Sequence, residues 1–131
     1  MSKWRLPYSD ALDALDPAAI VESLAADAVI YVAVHDAPME GPGAAQFLFG
    51  VLSEELDHLE VTEEIIEGSS ATVLFEAAIR GQGAQGVNIV RLNDAGEVRE
   101  LVVFFRPLAT LGLIAEVVGG RMAEQFGPPP T

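Results

Sequence analysis

Four polar residues stand where the surrounding sequence is apolar or turning, and each is of a type that carries a proton or a hydrogen bond. Asn88 lies between Val87 and Ile89 in the run GVNIVRLN, where a buried strand ordinarily carries another aliphatic side chain. Burying an amide without a partner costs about 1 to 3 kcal/mol, so an irregular backbone or the rim of a cavity must satisfy it. Tyr8 is followed by Ala11, Leu12 and Leu15 at i+3, i+4 and i+7, which turns its phenol toward the core, where its hydroxyl needs a partner. His35 and Asp36 close the apolar run AVIYVAV. Histidine is the one side chain whose ordinary pKa suits proton transfer near neutrality. The competing account of this pair is an Asp-Ala-Pro turn beside a solvated histidine.

Other polar residues have plainer explanations. Tyr31 reads as packing, Glu40 as a loop acid, and His58 as a cation at the end of the main helix, where the helix dipole mildly favours it. Glu76, Arg91, Glu100 and Arg106 fall on an outer sheet face as cross-strand charges. Glu60, Glu63, Glu64 and Glu67 read as a solvated edge. Two histidines and no cysteine exclude thiol chemistry and disulfides, and no spacing suggests a metal site, so neither metal nor cofactor is expected.

The elements that position these residues follow from periodicity. A short helix in LPYSDALDALD is followed by a second over about Pro17 to Ala25, capped by Asp16 with Pro17 at its first position. AVIYVAV, β-branched and without helical period, predicts a strand buried on both faces. After the turn MEGPG, Leu48, Val51, Leu52 and Leu56 form the apolar stripe of the main helix. Four strands follow, LEVTEEIIE, ATVLFEAAIRG, GVNIVRLN and EVRELVVFFR, separated by GSS, GQGAQ and NDAG turns and therefore antiparallel neighbours. If the last turn pairs Asn93 with Gly96, Asn88 lies opposite Leu101 on the face of Val90, Val103 and Phe105; a bulge would shift that register. Pro107 stops the last strand, and LATLGLIAEVVGGRMAEQF predicts a terminal helix weakened by glycines.

The chain is thus an α+β domain with helices on one sheet face: one domain over residues 1–127, and a frayed tail at 128–131. Its 131 residues, half of them hydrophobic, suffice for one core. A net charge of -13, from twenty acidic and seven basic residues, argues against nucleic acid and anionic membranes as partners. No signal-peptide run or membrane span is visible, so a cytoplasmic location is expected.

The order of elements, with MEGPGAA before the main helix and NDAGEV in the final hairpin, resembles the nuclear-transport-factor-2-like superfamily, and within it the SnoaL-like and ketosteroid-isomerase-like branch. The likeness covers about Tyr8 to Val118. Asp-Pro before the second helix, Ala-Asp before the first strand, a glycine turn before the long helix and Asp-x-Gly in the hairpin carry it together. The resemblance implies a cystatin-like cone: a strongly curved mixed or antiparallel sheet wrapped around N-terminal helices and one long helix, with a C-terminal helix. It also implies a small apolar, carbonyl-containing ligand in the cone cavity, and a homodimer through the outer face of Val87, Ile89, Val102 and Phe104. Such proteins include isomerases, epoxide hydrolases, polyketide cyclases, dehydratases and non-catalytic binding domains, so the fold fixes no reaction.

In the isomerases a carboxylate base moves a proton while a tyrosine and a protonated aspartic acid donate to the developing oxyanion. An ungapped match of YSDALDALDPAAIVESLAADAVIYV puts Tyr8 at the place of that tyrosine, and the hairpin match puts Asn88 at the place of the protonated acid. A neutral amide donates without a raised pKa. The same match sets Val32, or Ala33 after a slip of one, where the base should stand. Acid-base catalysis usually supplies about 10²- to 10⁴-fold, so at most weak isomerase or cyclase chemistry is expected, with His35 or Asp36 as replacement acceptors. The two carboxylates and arginine of the epoxide-hydrolase pattern are missing: the last strand offers LVVFF. The alternative is a non-catalytic ligand-binding or dimeric interaction module.

Overall fold

The computed structural model describes residues 3–127, so the expected tail at 128–131 lies outside the described residues. Helix α1, Pro7–Asp13, starts on a proline and buries Tyr8, Ala11 and Leu12 along one face; Leu15, at φ 50°, turns the chain out of it. Asp16 then caps α2, Pro17–Glu22, its carboxylate accepting from the Ala19 N–H at 3.3 Å. This helix is shorter than expected because β1 already begins at Leu24 and runs to Tyr31. Its alternating burial, with Tyr31 38% exposed, corrects the expectation of a strand covered on both faces. Val32, Ala33 and Val34 lie beyond it.

A two-residue strand β2, Met39–Glu40, pairs with β1 and leads into the main helix α3, Pro42–Glu55, which buries Ala45, Leu48, Phe49 and Val51. The meander follows as β3 (His58–Glu67), β4 (Ser70–Ile79), β5 (Gln82–Leu92) and β6 (Val98–Arg106), and α4 closes the chain over Leu108–Phe126. His58 opens β3 rather than ending the helix. Gln82 to Gln85 belong to β5, so the turn between β4 and β5 is Arg80-Gly81, both at positive φ, which suits the twist of a tight hairpin.

The sheet order is β2-β1-β6-β5-β4-β3, all antiparallel except β1 against β6. The sheet is therefore mixed: the first strand is sealed by the last. Register breaks interrupt β1 against β6, β3 against β4, and β5 against β6, and such bulges bend strands. The helices fill the concave side. Ile20, Ile30, Val51, Val73, Val90 and Leu101 form its fully buried centre, and Arg121 ties α4 to α3 through Glu55 at 3.1 Å and Glu54 at 3.3 Å.

The turn closes on Asn93 and Glu97 rather than Gly96, and the break between Arg91 and Leu92 adds one more position, so Asn88 pairs with Val103, not Leu101. A slip of two preserves side-chain parity. Asn88, Val90, Leu101, Val103 and Phe105 accordingly keep the concave face, while Arg91 pairs with Glu100 at 3.7 Å on the convex one. Arg106 donates there to Gln85. Glu64 departs from the solvated edge expected of it: its carboxylate accepts the N–H groups of Arg5 at 2.9 Å and Leu6 at 3.1 Å, tying down the N-terminal segment.

Candidate ligand site

Tyr8 and Asn88 meet inside the cone. The Asn88 amide donates from Nδ2 to the Tyr8 hydroxyl at 2.6 Å, joining α1 to β5. Tyr8 is 1% exposed and Asn88 2% exposed. Burial pushes the Tyr8 phenol well above its ordinary pKa, and the hydrogen bond from Asn88 offsets only part of that rise, so the phenol stays neutral. The other end of the amide, Oδ1, is buried and has no hydrogen-bond partner among the described residues.

A cavity of about 60 Å³ borders Asn88, walled by Leu12 of α1, Val32 to Val34, Phe49 of α3, Phe75 of β4, Phe105 of β6 and Ile114 of α4. Among the described residues Asn88 is the only polar side chain in that wall, and none of those lining it is ionisable. Val32, Val34, Leu48 and Val118 also line a second hollow, a cleft of about 390 Å³ between the 34–39 loop and one face of α4. Val118, Gly119, Met122 and Phe126 provide that face, with Met39 opposite. A larger hollow of about 680 Å³ lies on the far side of α1, between α2 and the Ala95–Glu97 turn. Asp10, Asp16, Glu22 and Glu97 line it together with Arg5 and Tyr8, whereas Asn88 does not; Tyr8 in turn is not in the wall of the inner cavity.

Of the four residues singled out by type and spacing, Tyr8 and Asn88 come together. His35 lines the outer cleft but not the inner cavity, with its Nδ1 buried and unpartnered. Asp36 is exposed and lines neither hollow. Val32 and Ala33, at the expected base position, both face the inner cavity.

Gly86 went unnoticed in the sequence. It lies between Phe75 on β4 and Phe105 on β6, and its missing side chain lets the two rings meet edge to face, centroids 5.4 Å apart at 81°. A Cβ on Gly86 would lie 2.1 Å from the Phe75 ring. A glycine within an aromatic-rich strand set is the one local signal that points to such a close approach. The cleft wall of Met39, Met122 and Phe126 had none, being assembled from segments far apart in sequence. Among the described residues, no group of three or more His, Cys, Asp or Glu could hold a metal ion, and no helix is long and apolar enough to cross a membrane.

Comparison with known proteins places this geometry in a fold class. No protein-family model matches the sequence, and no curated protein matches it. Solved structures do. An uncharacterised protein from Silicibacter pomeroyi with a cystatin-like fold superposes with a TM-score of 0.82 at 19% identity, over 88% of this chain and 82% of the other. A steroid delta-isomerase from Pseudomonas aeruginosa gives 0.78 at 20% identity, over 88% and 85%. An epoxide hydrolase/cyclase-like enzyme of pyran ring formation in the polyether salinomycin gives 0.63 at 21% identity, over 76% and 84%. The chain therefore has the cystatin-like, nuclear-transport-factor-2-like fold that its element order resembles.

Proposed function

We propose that this protein binds a compact, apolar small molecule, taken up through the cleft beside α4 with its polar end against Asn88. The observation that carries this is the buried, unpartnered Oδ1 of Asn88 in an otherwise apolar cavity wall. A native interior rarely leaves a buried polar atom unmatched, and a convergent polar group in an apolar hollow is the usual mark of a ligand site. Isomerase or cyclase chemistry, suggested by the steroid delta-isomerase and the epoxide hydrolase/cyclase-like neighbour, is weak here at most. Val32 and Ala33 cannot take a proton, no wall residue of the inner cavity can, and His35 and Asp36 do not reach it.

The test is a thermal-shift screen of steroid-like, terpenoid and polyketide compounds, with Leu48→Trp as the blocked control. At a hundredfold excess over Kd, a ligand specific for the folded chain adds about 2.7 kcal/mol. For a domain of this size that raises Tm by roughly 10 °C. Ligands that stabilise Leu48→Trp equally, or none that stabilise the native chain, refute the assignment.

A second reading, a homodimer through the convex sheet face, is supported by one row of side chains across five strands. Ile65, Thr72, Ile89, Val102 and Tyr31 are consecutive register partners, with Leu74, Val87 and Phe104 in a flanking row. Ile65 and Phe104 are 52% and 51% exposed. An apolar strip of that extent is a usual interaction surface. Light scattering would show a dimer in the native chain and a monomer for Phe104→Lys; a native monomer at high concentration removes this reading.

A further inference from the structure

We propose that the buried end of the ligand is a neutral hydroxyl group, received by Asn88 as an acceptor through Oδ1. This rests on the ligand site proposed above and concerns which atom of that site meets the ligand. The resemblance implies the opposite polarity, an amide N–H given to a carbonyl. In the structure, however, Nδ2 is turned to the Tyr8 hydroxyl, to which it donates at 2.6 Å. Oδ1 is the end left buried and without a partner, on a residue that lines the cavity. An amide oxygen only accepts, so it needs a donor.

The wall narrows the kind of donor. It contains no carboxylate, so an ammonium group would be buried without a counter-charge, and the neutral amine left on losing its proton is a weaker donor than a hydroxyl. A ketone, ether or carboxylate would bring lone pairs against the lone pairs of Oδ1. A hydroxyl does neither. Size agrees: the inner cavity of about 60 Å³ is much smaller than the cleft of about 390 Å³, so it takes the polar end of a ligand rather than its bulk. The apolar remainder passes Val32, Val34, Leu48 and Val118 into the cleft of about 390 Å³. Tyr8 then acts as a positioning residue. Its contact with Nδ2 sets the amide with Oδ1 as the open end.

The experiment titrates the full chain with 1-hexanol, 2-hexanone and hexane, followed by methyl and side-chain amide resonances. The expected result is a Kd for the alcohol about tenfold below that of the ketone, the advantage of a formed over a frustrated hydrogen bond. In Tyr8→Phe the amide is free to rotate, and the preference should collapse through tighter ketone binding, while hexane binding stays unchanged. Ketone binding equal to or tighter than alcohol in the native chain overturns the inference alone and leaves the ligand site standing. An alcohol preference unaltered in Tyr8→Phe overturns the positioning role. If none of the three binds, both the site and its polarity fall. The native comparison stands even if Tyr8→Phe folds poorly.

Discussion

Gly86→Ala is the sharpest test of how the concave face is packed. A Cβ at that position would lie 2.1 Å from Phe75 Cζ, and 2.5 and 2.8 Å from its two Cε atoms, so the whole ring edge must retreat by over an ångström. Phe75 is 3% exposed and held edge-on by Phe105, leaving the cavity beside Asn88 as the void it borders. Forcing one extra methyl into a packed core costs typically about 1 to 3 kcal/mol. At roughly 3 to 6 °C per kcal/mol for a domain of this length, Tm should fall by about 6 to 12 °C for a mid-range cost. Urea and thermal denaturation followed by circular dichroism would measure it. Phe75→Leu removes the ring, so in that background the alanine should cost little, giving a coupling of about 1 kcal/mol or more in a double-mutant cycle. An unchanged Tm for Gly86→Ala, or full additivity with Phe75→Leu, would refute the packing argument.

Three further outcomes follow from particular contacts. The Tyr8 pKa lies above its unfolded value near 10, so the folded chain holds that proton more tightly; its stabilising contribution is complete below about pH 10 and is lost as pH rises beyond it. Unfolding free energy should therefore decline above pH 10 by up to about 1.4 kcal/mol per pH unit more in the native chain than in Tyr8→Phe, measured by urea titration. Glu64→Ala removes the carboxylate that receives both Arg5 and Leu6 N–H groups, and hydrogen exchange at those two amides should accelerate while that of β4 stays unchanged. Asp16→Ala deletes the α2 cap and should cost about 1 kcal/mol by urea titration, whereas Asp16→Asn should restore most of it.

Much of this architecture is visible in the sequence because it rests on periodicity. The i, i+3, i+4 spacing of Tyr8, Ala11 and Leu12 marks the buried face of α1, and alternation along β5 and β6 separates Asn88 and Val90 from Arg91. Those faces survive the two-residue slip of the hairpin because side-chain direction depends only on parity, whereas the partner of Asn88 depends on the turn and the bulge together. The parallel pairing of β1 with β6 and the two-residue β2 are set by long-range closure of the sheet, on which local pattern is silent. Arg80-Gly81 hid as a turn because Arg80 adopts positive φ without a glycine or asparagine to announce it. The Tyr8–Asn88 pair came from the resemblance, since no local property links residues on α1 and β5. Cavity size had no signal at all, being the remainder after side chains from seven elements have packed.

On the proposed reading, that remainder favours binding over turnover. A proton-transfer site needs a titratable group within reach of the reacting atom, and electrostatic help is greatest where water is excluded. This cone supplies the second condition and omits the first: the phenol is held neutral by burial, the amide cannot titrate, and Val32 and Ala33 line the wall at the position of the base. Restoring a carboxylate at Val32 would set an ionisable group in a hollow with no cation to meet it, raising its pKa and straining the fold. The same apolar wall that makes such a base costly would make Asn88 Oδ1 decisive for the orientation of the proposed ligand, because one that fails to pair with it leaves it desolvated for nothing. On the proposed reading, these residues would give selectivity in binding and at most weak turnover.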